Sequence, residues 1–553
     1  MAVDYEGQAS EDPSCIIQAL FRAQHASASD NFPRLVGEHF AKLFESDGSL
    51  NKIPALGLSR PARFHKDRTL VRFRAMVQDT SLSPEMYLSK LESGDSGGWG
   101  IYETQGASSS NASDDVQYAN LRECDIVWAV SVPAESQWSA EELDGSSPER
   151  SSREGELASP PPAALYKYPH PETEHVGVQV KIYDKDGLDV PKSTDVVTFV
   201  GILSAEPCCL DDMQETPPEV PTLHVLFSKP HTSNILLRDF PRAASVANDT
   251  QEPSALREEL ISWIAEESLA GDRHAAEWVL LSAIARVQSR TPPLYPPTLT
   301  ISQFPPPPPV PSTSSSLSLP LPALSWVLSA LLPLAHTLPL SLDSLNKSSF
   351  APESKNEDLH AGVLQLPQGT HLLVSEGGVR EGQLVEKGLR NVRALQEVMD
   401  SQTLAYTFPF SQYSFPTDIT AVVLAEGRKS AFFKTQLSVP LGVPHDPEVV
   451  SRLYKSKEQV RMPPPATLAA FRDLVVGARC GKVQVPEATS EHVQAQFVES
   501  RRGDRSITAD DLIREMSIAK LYALSLHEPT LSVETWQRAK AFDERRKAAV
   551  ATS

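Results

Sequence analysis

Residues 69–78 read Thr-Leu-Val-Arg-Phe-Arg-Ala-Met-Val-Gln, and this stretch determines the fold class of the first half of the chain. Apolar Val71, Phe73 and Ala75 alternate with Arg72 and Arg74, and a two-residue period of this kind is typical of a β-strand. Five further segments are strand candidates, at residues 100–104, 126–132, 176–183, 196–204 and 223–228. Six short strands with turn-rich connections predict a small barrel or sandwich.

The residues before and within this region have a different character. Between residues 15 and 44, apolar side chains recur mostly every three or four positions, which predicts two short amphipathic helices. We therefore expect an N-terminal helical segment over residues 1–66 and a β domain over residues 67–235. Residues 139–171 are rich in Ser, Pro, Glu and Arg and poor in apolar residues, so we predict a disordered linker that interrupts the β domain.

The second half of the chain alternates helices with strands. Helical periodicity covers residues 255–269 and 272–288, and strand candidates follow at 298–301, 371–374 and 419–425. Between these strands lie the predicted helices 323–332 and 392–399, an alternation that favours an α/β sheet over residues 255–450. The last part, residues 451–553, is predicted to be helical, with candidates at 467–478, 491–501, 508–526 and 533–549.

Composition limits the possible functions. The 553 residues carry a formal net charge of −20, which gives no overall electrostatic reason to bind nucleic acid. Five cysteines without a CxxC pair form neither a disulfide framework nor a zinc module. The acidic first twenty residues do not resemble a secretory signal, so we expect an intracellular, reducing environment.

A charge-free stretch, residues 291–342, tests for a membrane segment. Its prolines leave only residues 323–332 as uninterrupted helix, about half of the ~20 residues that a span requires, so we predict a buried helix and no membrane span. Prolines 305–309 form either a polyproline recognition strip or a solvated insert. We favour the insert, because only Ser and Thr flank it.

Four short strings suggest chemistry, and each has a simpler structural interpretation. Residues 94–98, Gly-Asp-Ser-Gly-Gly, match a serine-protease string but lack a preceding triad. Residues 477–483 resemble a phosphate-binding loop with the wrong glycine spacing and Val483 in place of Ser or Thr. Residues 502–504 are an Arg-Gly-Asp turn, and residues 545–547 are either a minimal nuclear signal or a cationic helix end. We predict no catalytic, cofactor-binding or metal-binding residue.

Nine segments, in order along the chain, resemble the MCM-binding protein family, nuclear partners of the mini-chromosome maintenance (MCM) replicative helicase. They are residues 71–79, 84–87, 132–138, 180–184, 201–204, 271–277, 362–367, 425–428 and 506–512. The charge-free insert at residues 305–318 and a short central linker depart from the family pattern.

The C-terminal half also resembles an MCM-type AAA+ module that has lost its nucleotide chemistry. Pro-rich residues 304–311 stand in the place of the P-loop, and proline lacks the backbone N–H that binds phosphate. Residues 362–376 are similar to the Walker B strand, with Ser375 in the position of the magnesium-binding Asp and Glu376 as the second acid. Residues 421–428 resemble the sensor strand. Residues 506–526 and 530–542 resemble the helical lid.

The resemblance implies a mixed α/β fold. An OB-like β barrel with leading helices is followed by a degenerate MCM/AAA+-like domain over residues 255–450, with a Pro-rich insert at 303–322 and a helical lid over 451–553. It implies a nuclear, non-enzymatic protein without cofactor or small-molecule substrate. Such a protein binds MCM subunits in place of subunit two, promotes their release from chromatin late in S phase and supports sister-chromatid cohesion, with only indirect chromatin association. Which subunits and residues make contact does not follow from the sequence.

The alternative function is single-stranded nucleic-acid binding. OB-like barrels often bind single strands through aromatic and basic residues. Arg72 and Arg74 share one face of the first predicted strand, opposite Phe73, and we expect that face to point outward.

Overall fold

The computed structural model shows a mixed α/β protein in which a β-rich first half packs against a second half built on a parallel sheet. It describes residues 11–24, 31–102, 118–144, 162–185, 191–208, 218–231, 235–242, 252–308, 320–356, 358–444 and 446–552.

Three helices precede the first strand in the described residues, as the apolar spacing predicts for the first two. They are α1 (Pro13–Ala23), α2 (Phe32–Leu43) and α3 (Asp47–Lys52). The Asp12 side chain accepts a hydrogen bond from the Cys15 amide and caps α1. The buried stripes of α1 and α2, which include Phe21 and Phe40, join one hydrophobic cluster with Trp99 and Phe227 of the β-rich half. The leading helices therefore cover the sheet.

Six strands form the β-rich half: β1 (Leu70–Asp79), β2 (Glu85–Leu88), β3 (Leu121–Ser131), β4 (Gly177–Ile182), β5 (Val196–Pro207) and β6 (Glu219–Pro230). The pairings run from β1 to β5, β6, β4 and β3, and β3 pairs with β1 again. All of these pairings are antiparallel except β4 with β6. The hydrogen-bonded pairings thus form a closed circuit of five strands.

Two predictions for this half are wrong in the described residues. Gly98, Trp99 and Gly100 have positive φ angles, so the chain turns where a strand at 100–104 was expected; residues 103 and 104 lie outside the described part. The predicted disordered linker, residues 139–171, is ordered at both ends, with helix α4 (Gln137–Asp144) and a 3-10 helix (Pro162–Lys167), while its central residues 145–161 lie outside the described part. Lys167 is fully buried there, and two carboxylates that pair with it compensate for the burial of its charge.

The second half contains five parallel strands in the order β10–β13–β16–β9–β17. Their bounds are β9 (Leu299–Ser302), β10 (Ala335–Pro339), β13 (Thr370–Ser375), β16 (Ile419–Leu424) and β17 (Leu437–Pro440). The predicted strands 298–301, 371–374 and 419–425 are confirmed, whereas β10 and β17 were not predicted.

Helices cover both faces of this sheet, as a parallel sheet requires. They are α5 (Pro253–Ser268), α6 (Arg273–Ile284), α7 (Ala323–Leu331), α8 (Leu342–Lys347) and α9 (Glu386–Ser401). Helix α7 is the predicted buried helix, and no helix of the described residues is long and apolar enough to cross a membrane. Helix α6 ends at Ile284 rather than near residue 288, because Asp418 accepts from Arg286 and from the Val287 amide.

Smaller elements complete the second half. A four-stranded sheet has the order β12 (Asp358–His360), β11 (Glu353–Lys355), β14 (Thr403–Phe408), β15 (Ser411–Pro416). Strands β7 (Ser289–Arg290) and β8 (Pro293–Leu294) form a hairpin. The predicted C-terminal helices are present as α11 (Pro465–Cys480), α12 (Glu487–Gly503), α13 (Ala509–Ser525) and α14 (Val533–Thr552), after the short α10 (Pro447–Leu453).

Direct contacts join the two halves. The Trp138 indole of α4 donates to the carbonyl of Ser329 at 3.2 Å, and Gln78 Nε2 donates to Gln365 Oε1 at 3.3 Å. The rings of His170 and His336 stack with centroids 3.9 Å apart. Helix α4 and His170, which lie at the two ends of the predicted linker region, therefore form part of the interface between the halves.

Candidate functional site

The carboxyl edge of the parallel sheet is the first place to search for a ligand site, because open α/β sheets bind ligands beyond the carboxyl ends of their strands. Three connections meet at this edge: residues 303–308 after β9, Glu376 and Gly377 after β13, and residues 425–430 after β16. The amides of Gln303 and Phe304 donate to the carbonyls of Gly427 and Ala425, which ties the first connection to the third.

Prolines fill the space at this edge. Pro305 and Pro307 are buried, and the Tyr454 hydroxyl donates to the Pro305 carbonyl at 2.8 Å. A Cβ atom on Gly377 would lie 2.7 Å from Cδ of Pro307, so these two segments of the chain are in close contact. The expected solvated insert is therefore wrong for residues 305–307, while residues 309–319 lie outside the described part. Residues without backbone N–H groups occupy a position where phosphate binding would need such donors.

Glu376 has a structural partner at the same edge. Its carboxylate accepts hydrogen bonds from the Ser430 hydroxyl and, at 3.0 Å, from the Ala431 amide. Burial raises the pKa of Glu376, and its hydrogen bonds oppose that rise. Ser375, also buried, supplies no carboxylate beside it, and no group of three or more metal-ligating side chains occurs in the described part of the chain. Through these hydrogen bonds, Glu376 holds the loop after β16 in place.

The expected nucleic-acid face is wrong, because Arg72 and Arg74 are buried. Arg72 is 7% exposed and donates to the carbonyls of Ile53 and Asp144, at 3.1 and 2.7 Å. Arg74 Nη1 lies 2.6 Å from Glu135 Oε1, and its side chain is 7% exposed. Helix α4 and the segment before it cover both guanidinium groups. Neither arginine is available to a phosphate backbone.

A comparison with known protein families identifies the family of the chain. The family model described as mini-chromosome maintenance replisome factor matches residues 40–161 and 144–550, which is most of the chain. The chain belongs to this replisome factor family.

Relatives of the replisome factor family come from distant eukaryotes. A Gallus gallus protein is 27% identical over 646 aligned residues, covering 97% of this chain and 96% of its own length. An Arabidopsis thaliana protein is 25% identical and covers 92% of both chains. A Drosophila melanogaster protein is 25% identical, with 91% of this chain and 93% of its own covered. Each of the three is named mini-chromosome maintenance complex-binding protein.

The four short strings have structural roles in this replisome factor family member. Ser96 is fully buried, its hydroxyl donates to the Gly97 carbonyl, and so it is not an exposed nucleophile. Residues 477–480 end helix α11, and Gly503 ends α12. Arg546 is 8% exposed and donates to the Ser438 carbonyl of β17 at 3.3 Å, so this member of the basic cluster at 545–547 helps to dock α14.

A buried polar group around His224 resembles a catalytic triad only in composition. The Ser204 hydroxyl and Glu206 both lie 3.0 Å from the same ring nitrogen, Nε2, while the Tyr183 hydroxyl lies 2.8 Å from Nδ1. A triad places the acid and the nucleophile on opposite ring nitrogens. Burial lowers the pKa of His224, and the cluster is a hydrogen-bonded part of the β-rich core.

Sequence reasoning missed the hairpin formed by β14 and β15, which we call the aromatic hairpin (residues 403–416). It contains five aromatic residues and no charged residue. Phe410 at its turn is fully exposed and Tyr413 is 58% exposed. The absence of charge next to regularly placed aromatic residues was the signal that could have identified it.

The burial of Arg74 leads to a stability prediction. Replacing Arg74 with Gln removes the charged partner of Glu135, which keeps only the Ser139 hydroxyl as a donor, and we expect a loss of about 2 kcal/mol in the free energy of unfolding at neutral pH. Burial raises the pKa of Glu135, so its carboxyl group is neutralised at a higher pH in the folded state than in the unfolded state. Lowering the pH toward this folded pKa therefore reduces the deficit of the variant.

Urea unfolding at about pH 5.5 and about pH 8 measures both the loss of stability and its decrease at lower pH. Arg34→Gln is the control, because Arg34 is an exposed member of an i,i+4 pair with Glu38. A wild-type free energy of unfolding for Arg74→Gln would show that the buried pair does not stabilise the fold.

Proposed function

We propose that this protein is a non-catalytic partner of the MCM helicase complex and acts as a structural mimic of an MCM subunit. Membership of the replisome factor family supports MCM association, as do the names of its relatives. The observation that supports the proposal of a silent mimic is the packing of the proline segment at the carboxyl edge of the parallel sheet, where, in our proposal, a phosphate-binding loop would stand.

Strand order supports a degenerate AAA+-like second half. Taken in chain order, the five parallel strands lie as 2-3-4-1-5, so the loop after the first strand and the loop after the third emerge near each other at one edge. That is where a nucleotide-binding module would hold its phosphates and its acidic residues. The loops here hold prolines and the Ser430-bound Glu376 instead.

The strand circuit supports an OB-like first half. Five strands that pair in the order β1–β3–β4–β6–β5 and return to β1 have the pairing order expected of a small Greek-key barrel, which supports this part of the proposal. With Arg72 and Arg74 buried, this barrel has a structural role in our proposal, and the single-strand-binding alternative loses the residues on which it depended.

The proposed mechanism is that this protein occupies the position of a subunit in the MCM ring but cannot bind or hydrolyse ATP there. A subunit mimic without bound nucleotide cannot supply the phosphates and acids of an ATPase site between neighbours. In our proposal it takes the place of subunit two, acts in the nucleus, promotes release of MCM complexes from chromatin late in S phase and thereby supports sister-chromatid cohesion. Its own association with chromatin is indirect.

The test mixes the purified full-length protein with purified MCM subunits, with and without subunit two, and separates complexes by size-exclusion chromatography. We expect co-elution with MCM subunits when subunit two is absent and displacement when it is added. A fluorescent ATP analogue should bind an active MCM subunit and not this protein. Failure to co-elute would refute the partner proposal, and saturable ATP binding would refute the silent mimic.

A further inference from the structure

The aromatic hairpin carries the most exposed large apolar side chain among the described residues, that of Phe410. Phe410 is fully exposed at the turn between β14 and β15, and five of the six residues of β15, all except Phe415, are exposed. Large apolar side chains at such a position indicate an interaction surface when they are contiguous.

These aromatic residues form one continuous face that begins in the core. Tyr406 is 1% exposed, and its ring lies 4.4 Å from that of Phe415 across the two strands. Farther out, the rings of Phe408 and Tyr413 pack edge to face at 5.8 Å. Cross-strand aromatic pairs stiffen a hairpin, so the exposed tip is held by the buried base.

The backbone of β15 has an open edge. It is the outermost strand of its four-stranded sheet within the described residues. The Thr407 amide donates to the Pro352 carbonyl, so the backbone groups of Thr407 point toward β11 and away from β15. Gln412 lies opposite Thr407, and its backbone groups therefore point outward, as do those of Ser414 two residues later. Pro416 has the same orientation and loses no ladder bond.

This edge lacks the usual protection against strand pairing. Proteins commonly block such edges with lysine, inward-facing charges, bulges or prolines within the strand. Residues 403–416 contain no charged residue, and their two prolines lie at the turn and at the end of β15. The central residues Gln412 to Ser414 remain open to a further strand.

We infer that β15 binds an extended, uncharged segment of an MCM subunit as an added strand, with alternate side chains of that segment against Tyr413 and Phe415. This inference rests on the proposed function and assigns a contact surface to it. Main-chain hydrogen bonds to Gln412 and Ser414 supply affinity, and the aromatic face selects apolar side chains.

The chemistry of the hairpin excludes two other occupants. A nucleic acid requires cations, and residues 403–416 have no Lys or Arg. A second folded copy requires a broad surface, whereas a six-residue strand is about 20 Å long and cannot by itself bury the roughly 1,200–2,000 Å² of a stable interface. An extended segment needs only the strand edge.

Ser414→Pro tests the open edge. The substitution removes the outward N–H of residue 414 and leaves the bonds between β14 and β15 intact, and Ser414→Ala is the matched control that retains the N–H. We expect Ser414→Pro to raise the dissociation constant for purified MCM subunits about tenfold or more, and Ser414→Ala to change it less than about twofold. Far-UV circular dichroism and the thermal midpoint of each variant report folding. Phe410→Ser, at a fully exposed position, provides a second test that does not depend on the proline.

The outcomes separate the two proposals. Wild-type affinity for both Ser414→Pro and Phe410→Ser would overturn the hairpin as the contact and leave the proposed function standing. Equal losses for Ser414→Pro and Ser414→Ala would overturn strand addition. Absence of MCM binding by the wild-type protein would overturn both proposals. Loss in either variant of wild-type binding to a single-stranded oligonucleotide, or of wild-type self-association, would assign the hairpin to that occupant and overturn the inference.

Discussion

Replacing Lys167 with methionine is expected to lower the free energy of unfolding by about 3–5 kcal/mol, the range for removing one partner from a buried ion pair. Lys167 is fully buried, its Nζ lies 2.6 Å from Oδ2 of Asp79, and it also pairs with Asp358. Methionine has a similar shape and no charge, so two carboxylates would remain in the interior without their cation. Chemical denaturation measured by tryptophan fluorescence gives the change.

The matched control is Lys185→Met. Lys185 also lies between two carboxylates, those of Glu123 and Asp125, but its side chain is 33% exposed. Solvent screens that pair, so we expect a loss below about 1 kcal/mol. Equal losses for Lys167→Met and Lys185→Met would show that burial of the Lys167 cluster has no energetic consequence.

The position of Lys167 between the two halves predicts that Lys167→Met also changes the shape of the thermal unfolding transition. Asp79 belongs to β1 in the first half, whereas Asp358 belongs to β12 in the second half. One ammonium group thus joins both halves, and the Tyr166 hydroxyl donates to Asp358 beside it. We expect thermal unfolding of Lys167→Met to broaden or to divide into two transitions, because the halves lose part of their coupling.

Periodicity predicted most of the long elements of the fold and missed several of the short ones. Strands β3 to β6 and helices α5, α7 and α11 to α14 lie within a few residues of their predicted positions. Strands β10 and β17 have five and four residues, and each ends in proline. Such segments are too short to show alternation. Their place is set by parallel pairing with β13 and β9, which are distant in sequence.

The arginines of β1 show why a strand face could not be oriented from the sequence. Alternation correctly placed Arg72 and Arg74 on one face. It did not reveal that this face is also covered, because the groups that cover it, Glu135 and Asp144, lie 61 and 70 residues beyond Arg74. A covered second face of this kind is a tertiary property.

The sequence showed that the proline segment lacks backbone donors, but the prediction that the segment is solvated was wrong for residues 305–307. The five consecutive prolines predicted a loss of backbone N–H donors. In the structure, the described prolines of this segment lie at the carboxyl edge of the parallel sheet, where this loss matters. The burial of Pro305 and Pro307 depends on Tyr454 and Gly377, from two other segments. Local composition could not show that packing.

Gly201 lies where no larger residue fits, so we expect its replacement to cause a large loss of stability. It lies in β5 at a bulge, where the register with β6 shifts between Val200 and Gly201. A Cβ atom there would lie 2.2 Å from the carbonyl oxygen of His224 and 3.0 Å from Cα of Val225, both backbone atoms of the paired strand. Because backbone atoms cannot rotate away, Gly201→Ala must separate β5 from β6 locally.

We expect Gly201→Ala to cost about 3 kcal/mol, at the upper end of the overpacking range, because one methyl group disturbs a pairing within the closed circuit of strands. Gly57→Ala is the control, since a Cβ atom on Gly57 meets nothing within 4 Å, and its change should stay within about 1 kcal/mol. Urea unfolding of both variants measures the difference, and amide hydrogen exchange of β5 and β6 locates it. If exchange remained unchanged in these strands while stability fell, the strain would lie elsewhere; if stability matched that of Gly57→Ala, the close contact at the bulge would not constrain the fold.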